Sequence, residues 1–395
     1  MNSYKQLKTP LQILYDKVNI SSMELKEHYD YLIVGSGLYG LTWNKLAQLF
    51  GKDVLIIEKR DRIGGNIITE DWNGTPVHKY GPHIFHTNNK KVWNFVNDNC
   101  IVEQYINQPI ANYMGILYNL PFNMNTFYRM FNKSTPEEVK AIIQEEIKSA
   151  GIKEPKNLEE QAISMVGTTI YTRLIKSYTE KQWGRPCSEL PTDIIKRLPL
   201  RWTFDNNYFN ADYQGMPHYN TLVKNLSKGA DILLNTDYFS DKEKFDSLAD
   251  KIIYTGPIDE FFNYKYGKLD WRTVYWKNEE KNTDNYQGCA VMNYTGNDIE
   301  KEPWTRIIEH RHFYKDQSSF PIDKTLISYE FSDEYKDGKE KFYPINNERN
   351  NKLLALYQAD IKNIQDKFIF GGRLAEYKYY DMDKIIEKCM NDFKA

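Results

Sequence analysis

A chain of 395 residues with a formal net charge of −2 and 41% hydrophobic residues is too long for one ordinary core and too evenly charged for a polybasic nucleic-acid binder. No apolar run approaches the roughly 20 residues of a membrane span. The N-terminal MNSYKQLKTPLQILYDK lacks the apolar core and small-residue cleavage site of a secretory signal, so neither membrane nor export is expected and the cytoplasm is the default compartment.

Residues 1–28 read as an N-terminal extension, either a short amphipathic helix or a stretch preceding a start at Met23. Organisation begins at YDYLIVGSGLYG, residues 29–40, where a β-branched and aliphatic run ends in a glycine-rich turn. A helical pattern (Leu41, Leu46, Leu49) follows, then the buried run DVLIIEKR ending at Glu58. Strand, turn, helix, strand is one βαβ unit, the opening of a parallel sheet.

Within that unit the GxGxxG spacing has a mechanical reading. Gly35 permits the tight turn, Gly37 lets the backbone approach a pyrophosphate, and Gly40 lets helix pack closely on strand. The helix that follows offers free amide donors and a partial positive charge to phosphates. Glu58, about twenty residues on, is placed to accept hydrogen bonds from an adenosine ribose. EKRDRIGGN then adds the pair Gly64-Gly65 with Lys59, Arg60 and Arg62 beside it, a second close backbone approach. With the GGR at 371–373, this favours FAD over NAD.

The next distinctive stretch is HKYGPHIFHTNN, residues 78–89, with His78, His83 and His86. An H-x4-H-x2-H spacing presents no clean metal face, and no Cys or acidic cluster accompanies it, so no metal is expected. From about 124 to 197, NTFYRMF, TPEEVKAIIQEEIKSA, NLEEQAISMVGTTIYTRLIKSYTEKQW and TDIIKRL are helical in period. Cap signals stand at Ser134-Thr135-Pro136-Glu137 and at Asn157 followed by Glu160.

ADILLNTDYF and DKIIYTGPID, residues 231–259, return to strand character with a turn at Gly256-Pro257. Residues 268–346, rich in Tyr, Trp, Val and Thr and broken at short intervals, predict an antiparallel sheet. The chain closes on KFIFGGRLAEYKYYDMDKIIEKCMNDF: a strand, a glycine turn and an amphipathic helix. Cys100, Cys187, Cys289 and Cys389 are scattered without CxxC pairing, which argues against a zinc cluster, a dithiol centre or a disulfide scaffold. The 30 tyrosines suit a surface that meets sugars and nucleotides, although a compositional habit accounts for them equally well.

GSGLYG, EKRDRIGGN, HKYGPHIFHTN, LPFNMNTF, YTEKQWG, IIKRLP, FDNNYF, YQGMP, YTGPID, RIIEHRHF, FYPI and GGRLAEYKYYDMD, taken together, resemble the bacterial UDP-galactopyranose mutase family. The resemblance runs in order from about residue 29 to the C-terminus. It implies an α/β fold: a doubly wound, Rossmann-like FAD-binding domain with an inserted helical domain and an antiparallel β-sheet domain. In this sequence those would be residues 29–99, 217–260 and 366–395 for FAD, and 123–197 for the helices with a mobile substrate loop. Residues 100–122, 198–216 and 261–365 would form the sheet domain.

The implied activity is interconversion of UDP-galactopyranose and UDP-galactofuranose, by ring contraction through a covalent adduct with reduced FAD. A homodimer and a UDP-sugar substrate are implied as well. Resemblance places the diphosphate on Arg197 and Arg306, whose planar guanidinium forks match a pyrophosphate. It gives His86 an open acid–base role. Further substrate contacts are implied at Asn107, Tyr178, Trp183, Tyr208, Phe209, Asn293, Glu330, Tyr343, Tyr379 and Asp381, with Trp183 on a loop between helices. Cofactor contacts are implied at Gly35, Ser36, Gly37, Gly40, Glu58, Lys59, Arg60, Gly65, Asn66, His83, Ile84, Arg373 and Met382.

Two other activities compete: an FAD-dependent oxidoreductase of the amine-oxidase type, and a mutase that also accepts UDP-N-acetylgalactosamine. The absence of a second nucleotide fingerprint and the paired arginines favour the mutase. Three features depart from the family pattern: the first 28 residues, HYNTLV after YQGMP, and Trp43 with Lys45 in the helix expected to lie beside the FAD.

Overall fold

The computed structural model describes residues 25–195 and 200–393; residues 1–24 of the extension expected at 1–28, and Arg197, lie outside them. YDYLIV, Tyr29–Val34, forms the centre of a five-stranded parallel sheet. The order is Asp231–Leu233, Val54–Ile57, Tyr29–Val34, Ala249–Tyr254, Phe368–Phe370. Ile33 aligns with Ile56 on one side and Ile253 on the other.

Because side chains alternate along a strand, the two faces of this sheet build separate cores. Ile33, Ile56 and Ile253 pack with Leu41, Ala47, Leu222 and Ile386, from helices Leu38–Leu49, Tyr219–Leu226 and Met382–Asp392. Leu32, Leu55 and Ile252 pack on the other face with Tyr238 and Phe245. Covering both faces is what a parallel sheet of continuous aliphatic runs requires. The sheet is parallel, as the motif spacing predicts, and doubly wound, as the family resemblance implies.

Trp43 is placed differently from the expectation. Its ring is 1% exposed, edge-on to Tyr31 at 5.8 Å and to Phe393 at 5.2 Å, on the core side of its helix. A bulky residue there fills the space between the first strand and the final helix, and does not border the cleft described below.

A second sheet has seven strands, in the order Tyr343–Pro344, Trp271–Lys281, Thr325–Glu334, Arg306–Glu309, Val291–Tyr294, Ile110–Tyr113, Ile116–Asn119. It is antiparallel except where Val291–Tyr294 runs parallel to Ile110–Tyr113, two segments far apart in sequence. Register aligns Trp276 with Glu330, Glu330 with Arg306, and Arg306 with Asn293. These four therefore form one row across four strands.

Helices Met124–Phe131, Pro136–Ala150, Leu158–Ile170 and Lys176–Trp183 surround a core that includes Phe127, Val139, Ile143 and Val166. Thr135 caps the second with Pro136 in its first turn, and the Asn157 side chain accepts from the Glu160 amide at 3.0 Å. Gly167 interrupts the third with φ 79°, and a π turn at Tyr171–Ile175 joins it to the fourth. Trp183 is the last residue of that fourth helix, ended by Gly184 at φ 68°, rather than part of a loop. TDIIKRL is a 3-10 turn over Thr192–Ile195 as far as it is described. Helix Glu348–Ile361 follows the sheet segment without having been anticipated.

Candidate active site

Val34, Ile57 and Tyr254, the last residues of three parallel strands, open onto a cleft of ≈ 2050 Å³ whose far wall is the seven-stranded sheet. A single-ligand pocket measures roughly 300–1,000 Å³, so this cleft has room for a long cofactor and a second ligand together. Crevices at the carboxyl ends of parallel strands are where α/β folds bind ligands.

At one end stands the glycine turn. Gly37 is the N-cap of helix Leu38–Leu49, and no side chain caps the free amides of that first turn. A Cβ on Gly37 would meet nothing within 4 Å, whereas one on Gly40 would lie 2.3 Å from the Gly35 carbonyl oxygen. The first glycine thus leaves an open cradle and the last permits packing. Gly65 closes against Gly37, where its own Cβ would come within 3.0 Å of the Gly37 Cα. Uncapped amides in front of an open cradle fit the pyrophosphate of a dinucleotide.

Glu58 borders the same end, 7% exposed. Its Oε2 accepts from the Ser36 amide at 2.9 Å and hydroxyl at 2.5 Å, and its Oε1 from the Arg60 amide at 2.9 Å. Ser36 itself is fully buried and does not border the cleft. Its amide and hydroxyl both go to the Glu58 carboxylate. Lys59, Arg60 and Asn66 line the rim; Arg60 reaches Asn66 at 3.1 Å and lies over the Tyr80 ring at 5.4 Å.

The segment Gly81 to His86 brings His83, Ile84 and His86 to the cleft, which Arg373 and Met382 also line. Burial, with the charge of Arg373 nearby, lowers the His83 imidazole to about 4, so it is neutral at pH 7. His86 stacks on Phe209 with centroids 3.8 Å apart and planes 9° from parallel. His78 is 1% exposed, sandwiched between His83 at 6.3 Å and His310 at 6.0 Å, and stays outside the cleft. Among the described residues, no group of three His, Cys, Asp or Glu side chains is arranged to hold a metal ion.

The far wall carries the aligned row. Arg306 Nη2 lies 2.8 Å from Glu330 Oε2, which also accepts from the Trp276 indole at 3.2 Å. Glu330 Oε1 accepts from the Thr305 hydroxyl at 3.1 Å. Among the described residues, five that line the cleft carry a buried polar atom without a protein hydrogen-bond partner: Arg306 Nε, Asn293 Oδ1, Asn107 Oδ1, His83 Nδ1 and Trp271 Nε1. Buried polar atoms are rarely left so, and together they mark where a polar ligand belongs.

Tyr178 and Trp183, on one helix, with Tyr208 and Phe209, complete the wall. Tyr343 and Tyr379 stand together at 5.8 Å, Arg373 lies over the Tyr379 ring at 4.8 Å, and the Tyr379 hydroxyl donates to Asp381 at 3.2 Å. Burial holds the phenols of Tyr178, Tyr343 and Tyr379 above the usual tyrosine range. The cleft therefore collects every site residue expected from sequence except Ser36, beneath it, and Arg197, outside the described residues.

Sequence reading missed others. Arg272, 4% exposed, lines the cleft and donates to the Gln182 carbonyl at 3.1 Å. Tyr219, in the departing HYNTLV segment, donates to the His83 carbonyl and to Met382 Sδ at 3.4 Å. Neither lies in a glycine turn or an arginine motif, and only the fold brings them to the site.

Comparison with known proteins places this geometry in context. The family described as UDP-galactopyranose mutase matches residues 173–379, and the NAD(P)-binding Rossmann-like domain matches residues 33–98. The chain is 38% identical to a probable UDP-galactopyranose mutase of Klebsiella pneumoniae over 91% of its own length and 92% of that protein. It is 34% identical to a dTDP-fucopyranose mutase of Escherichia coli, over 91% of its length and 96% of that protein. A crystal structure of reduced UDP-galactopyranose mutase superposes with TM-score 0.67 at 15% identity, covering 91% of this chain and 94% of the other, which establishes a shared fold.

Proposed function

This chain belongs to the UDP-galactopyranose mutase family, and from that premise we propose that it is an FAD enzyme interconverting UDP-galactopyranose and UDP-galactofuranose. The observation that carries the reading is one cleft holding a pyrophosphate cradle at Gly37 and, across from it, the Arg306–Glu330–Asn293 row with unmet polar atoms. One end suits a dinucleotide and the other a second, anionic ligand.

When bound and reduced, FAD supplies a nucleophilic ring nitrogen to the anomeric carbon of the sugar. The chain's own residues do the rest. Amides of the Leu38–Leu49 helix and the open face of Gly37 hold the cofactor pyrophosphate, and Glu58, fixed by Ser36, holds its ribose. Arg306 meets the negative charge that builds on the departing diphosphate, with Glu330 fixing its orientation so that little rearrangement is needed. Arg197, the second expected arginine, serves the same group.

Tyr178, Trp183, Tyr208 and Phe209 wall the nucleotide end and limit water. Holding the nucleotide beside the sugar makes its return effectively intramolecular. Neutral His83 exchanges hydrogen bonds with the bound groups without adding charge. The 34% relative named for dTDP-fucopyranose supports a second reading, in which the same chemistry acts on a dTDP-6-deoxy sugar.

Two steps test the proposal. Flavin released from the purified protein by heat should run with FAD on chromatography. The reduced protein should then be offered UDP-galactose, dTDP-fucose and UDP-N-acetylgalactosamine, each in its available ring form. Preference for the UDP-galactose pair supports the reading, and preference for dTDP-fucose replaces the substrate while keeping the chemistry.

A further inference from the structure

Lys181 lies on helix Lys176–Trp183 between Tyr178 and Trp183, and is 7% exposed. Its ammonium donates to the carbonyls of Tyr294 at 2.6 Å, Trp304 at 2.9 Å and Glu302 at 3.2 Å. Three donors meet three acceptors, and among the described residues it makes no ion pair. A buried ammonium matched only by backbone carbonyls is costly to desolvate, so its place calls for a reason.

The carbonyls it grips supply one. Tyr294 follows Asn293 and Trp304 precedes Arg306 by two residues, so the ammonium seizes the ends of the two strands that carry the Asn293–Arg306 rung. Next to it, the Gln182 carbonyl accepts from Arg272 Nε at 3.1 Å and from the Ser332 hydroxyl at 2.6 Å. The helix is thus pinned to the sheet just before Trp183 enters the cleft.

We propose that Lys181 is a positioning residue for nucleotide-sugar binding, setting the helix that presents Tyr178 and Trp183 at a fixed distance from the strands that present Asn293 and Arg306. It touches neither the cofactor cradle nor the reacting atoms. The inference rests on the nucleotide-sugar reading above and names a residue which that reading does not use.

Burial lowers the Lys181 ammonium to about 8 when docked, against an ordinary value of 10.5. The titratable groups around it are the Glu302 carboxylate, which favours the charged form, and the Tyr294 phenol, which burial keeps protonated in this range. Glu180, on its own helix, is turned onto the Cys187 amide.

The test compares wild type with Lys181→Met and Lys181→Gln, measuring flavin content, kcat and KM for the nucleotide sugar, and UDP affinity by titration. Both variants should keep their flavin, bind UDP about tenfold more weakly, show a KM about tenfold higher, and change little in kcat at saturation. Folded, flavin-loaded variants with wild-type UDP affinity and KM overturn the proposal, as does a loss confined to kcat. A wild type inert toward every nucleotide sugar counts against the functional reading instead, and UDP titration then still tests the lysine.

Discussion

Arg306 and Glu330 are cross-strand partners whose guanidinium and carboxylate meet at 2.8 Å, with the Glu330 side chain only 8% exposed and that of Arg306 25% exposed. The pair sits at the edge of the cleft, so the guanidinium keeps its Nε for a ligand while Nη2 is held. Replacing Arg306 with alanine should lower turnover by about a hundredfold or more while flavin content stays at the wild-type level. Loss of the yellow colour in that variant would mean that the arginine serves the cofactor.

Glu330→Gln removes the charge but keeps the shape. The amide oxygen in place of Oε2 can still accept from the Trp276 indole, with the amide nitrogen turned to the Thr305 hydroxyl, while Arg306 loses the charge that fixes it. A fall in kcat/KM of roughly tenfold to a hundredfold is expected, with thermal stability within a few degrees of wild type, because the guanidinium still reaches solvent in the cleft. Steady-state kinetics with a thermal melt checks both halves.

Gly37 and Gly40 should separate cofactor binding from folding. A methyl group on Gly37 meets no protein atom and projects into the cradle, so Gly37→Ala should melt like wild type yet hold flavin weakly. Gly40→Ala forces a methyl against the Gly35 carbonyl at 2.3 Å and against Ile33, so it should lower the melting temperature as well. Equal melting temperatures for the two variants would contradict this division.

His310 is fully buried, its Nδ1 accepting from the His78 amide at 3.2 Å and its Nε2 facing the Ser328 hydroxyl at 2.7 Å. Burial lowers it to about 3 from 6.5. With the folded value below the unfolded one, the unfolded chain binds the extra proton, so stability is full above pH 6.5 and declines as pH falls toward 3. The slope contributed by this residue is about 1.4 kcal/mol per pH unit. Urea unfolding at several pH values should show a shallower acid decline in His310→Gln than in wild type.

Part of this account was legible in the chain and part was not, for physical reasons. Gly35, Gly37, Gly40 and Glu58 act through local backbone geometry, so their spacing carries their meaning directly. Arg306, Glu330 and Asn293 meet only because three strands pair in one register, and no spacing encodes that; resemblance to a family supplied it. The parallel pairing of Ile110–Tyr113 with Val291–Tyr294 is equally non-local. Trp43 misled because helix composition does not reveal which face meets the core, and the Phe393 ring that covers it comes from the far end of the chain. Tyr219 and Arg272 went unread because their partners, the His83 and Gln182 carbonyls with Met382 and Ser332, are brought to them only by the fold.

The central claim is that reduced flavin and the Arg306 wall act on one nucleotide sugar in one cleft. Its most direct test is to reduce the purified protein with dithionite, add UDP-galactofuranose and resolve the ring isomers by chromatography, with an oxidised sample alongside. The account predicts conversion to the pyranose in the reduced sample and little or none in the oxidised one. A flavin-loaded, reduced protein that leaves the furanose unchanged, or equal conversion in both samples, would contradict it.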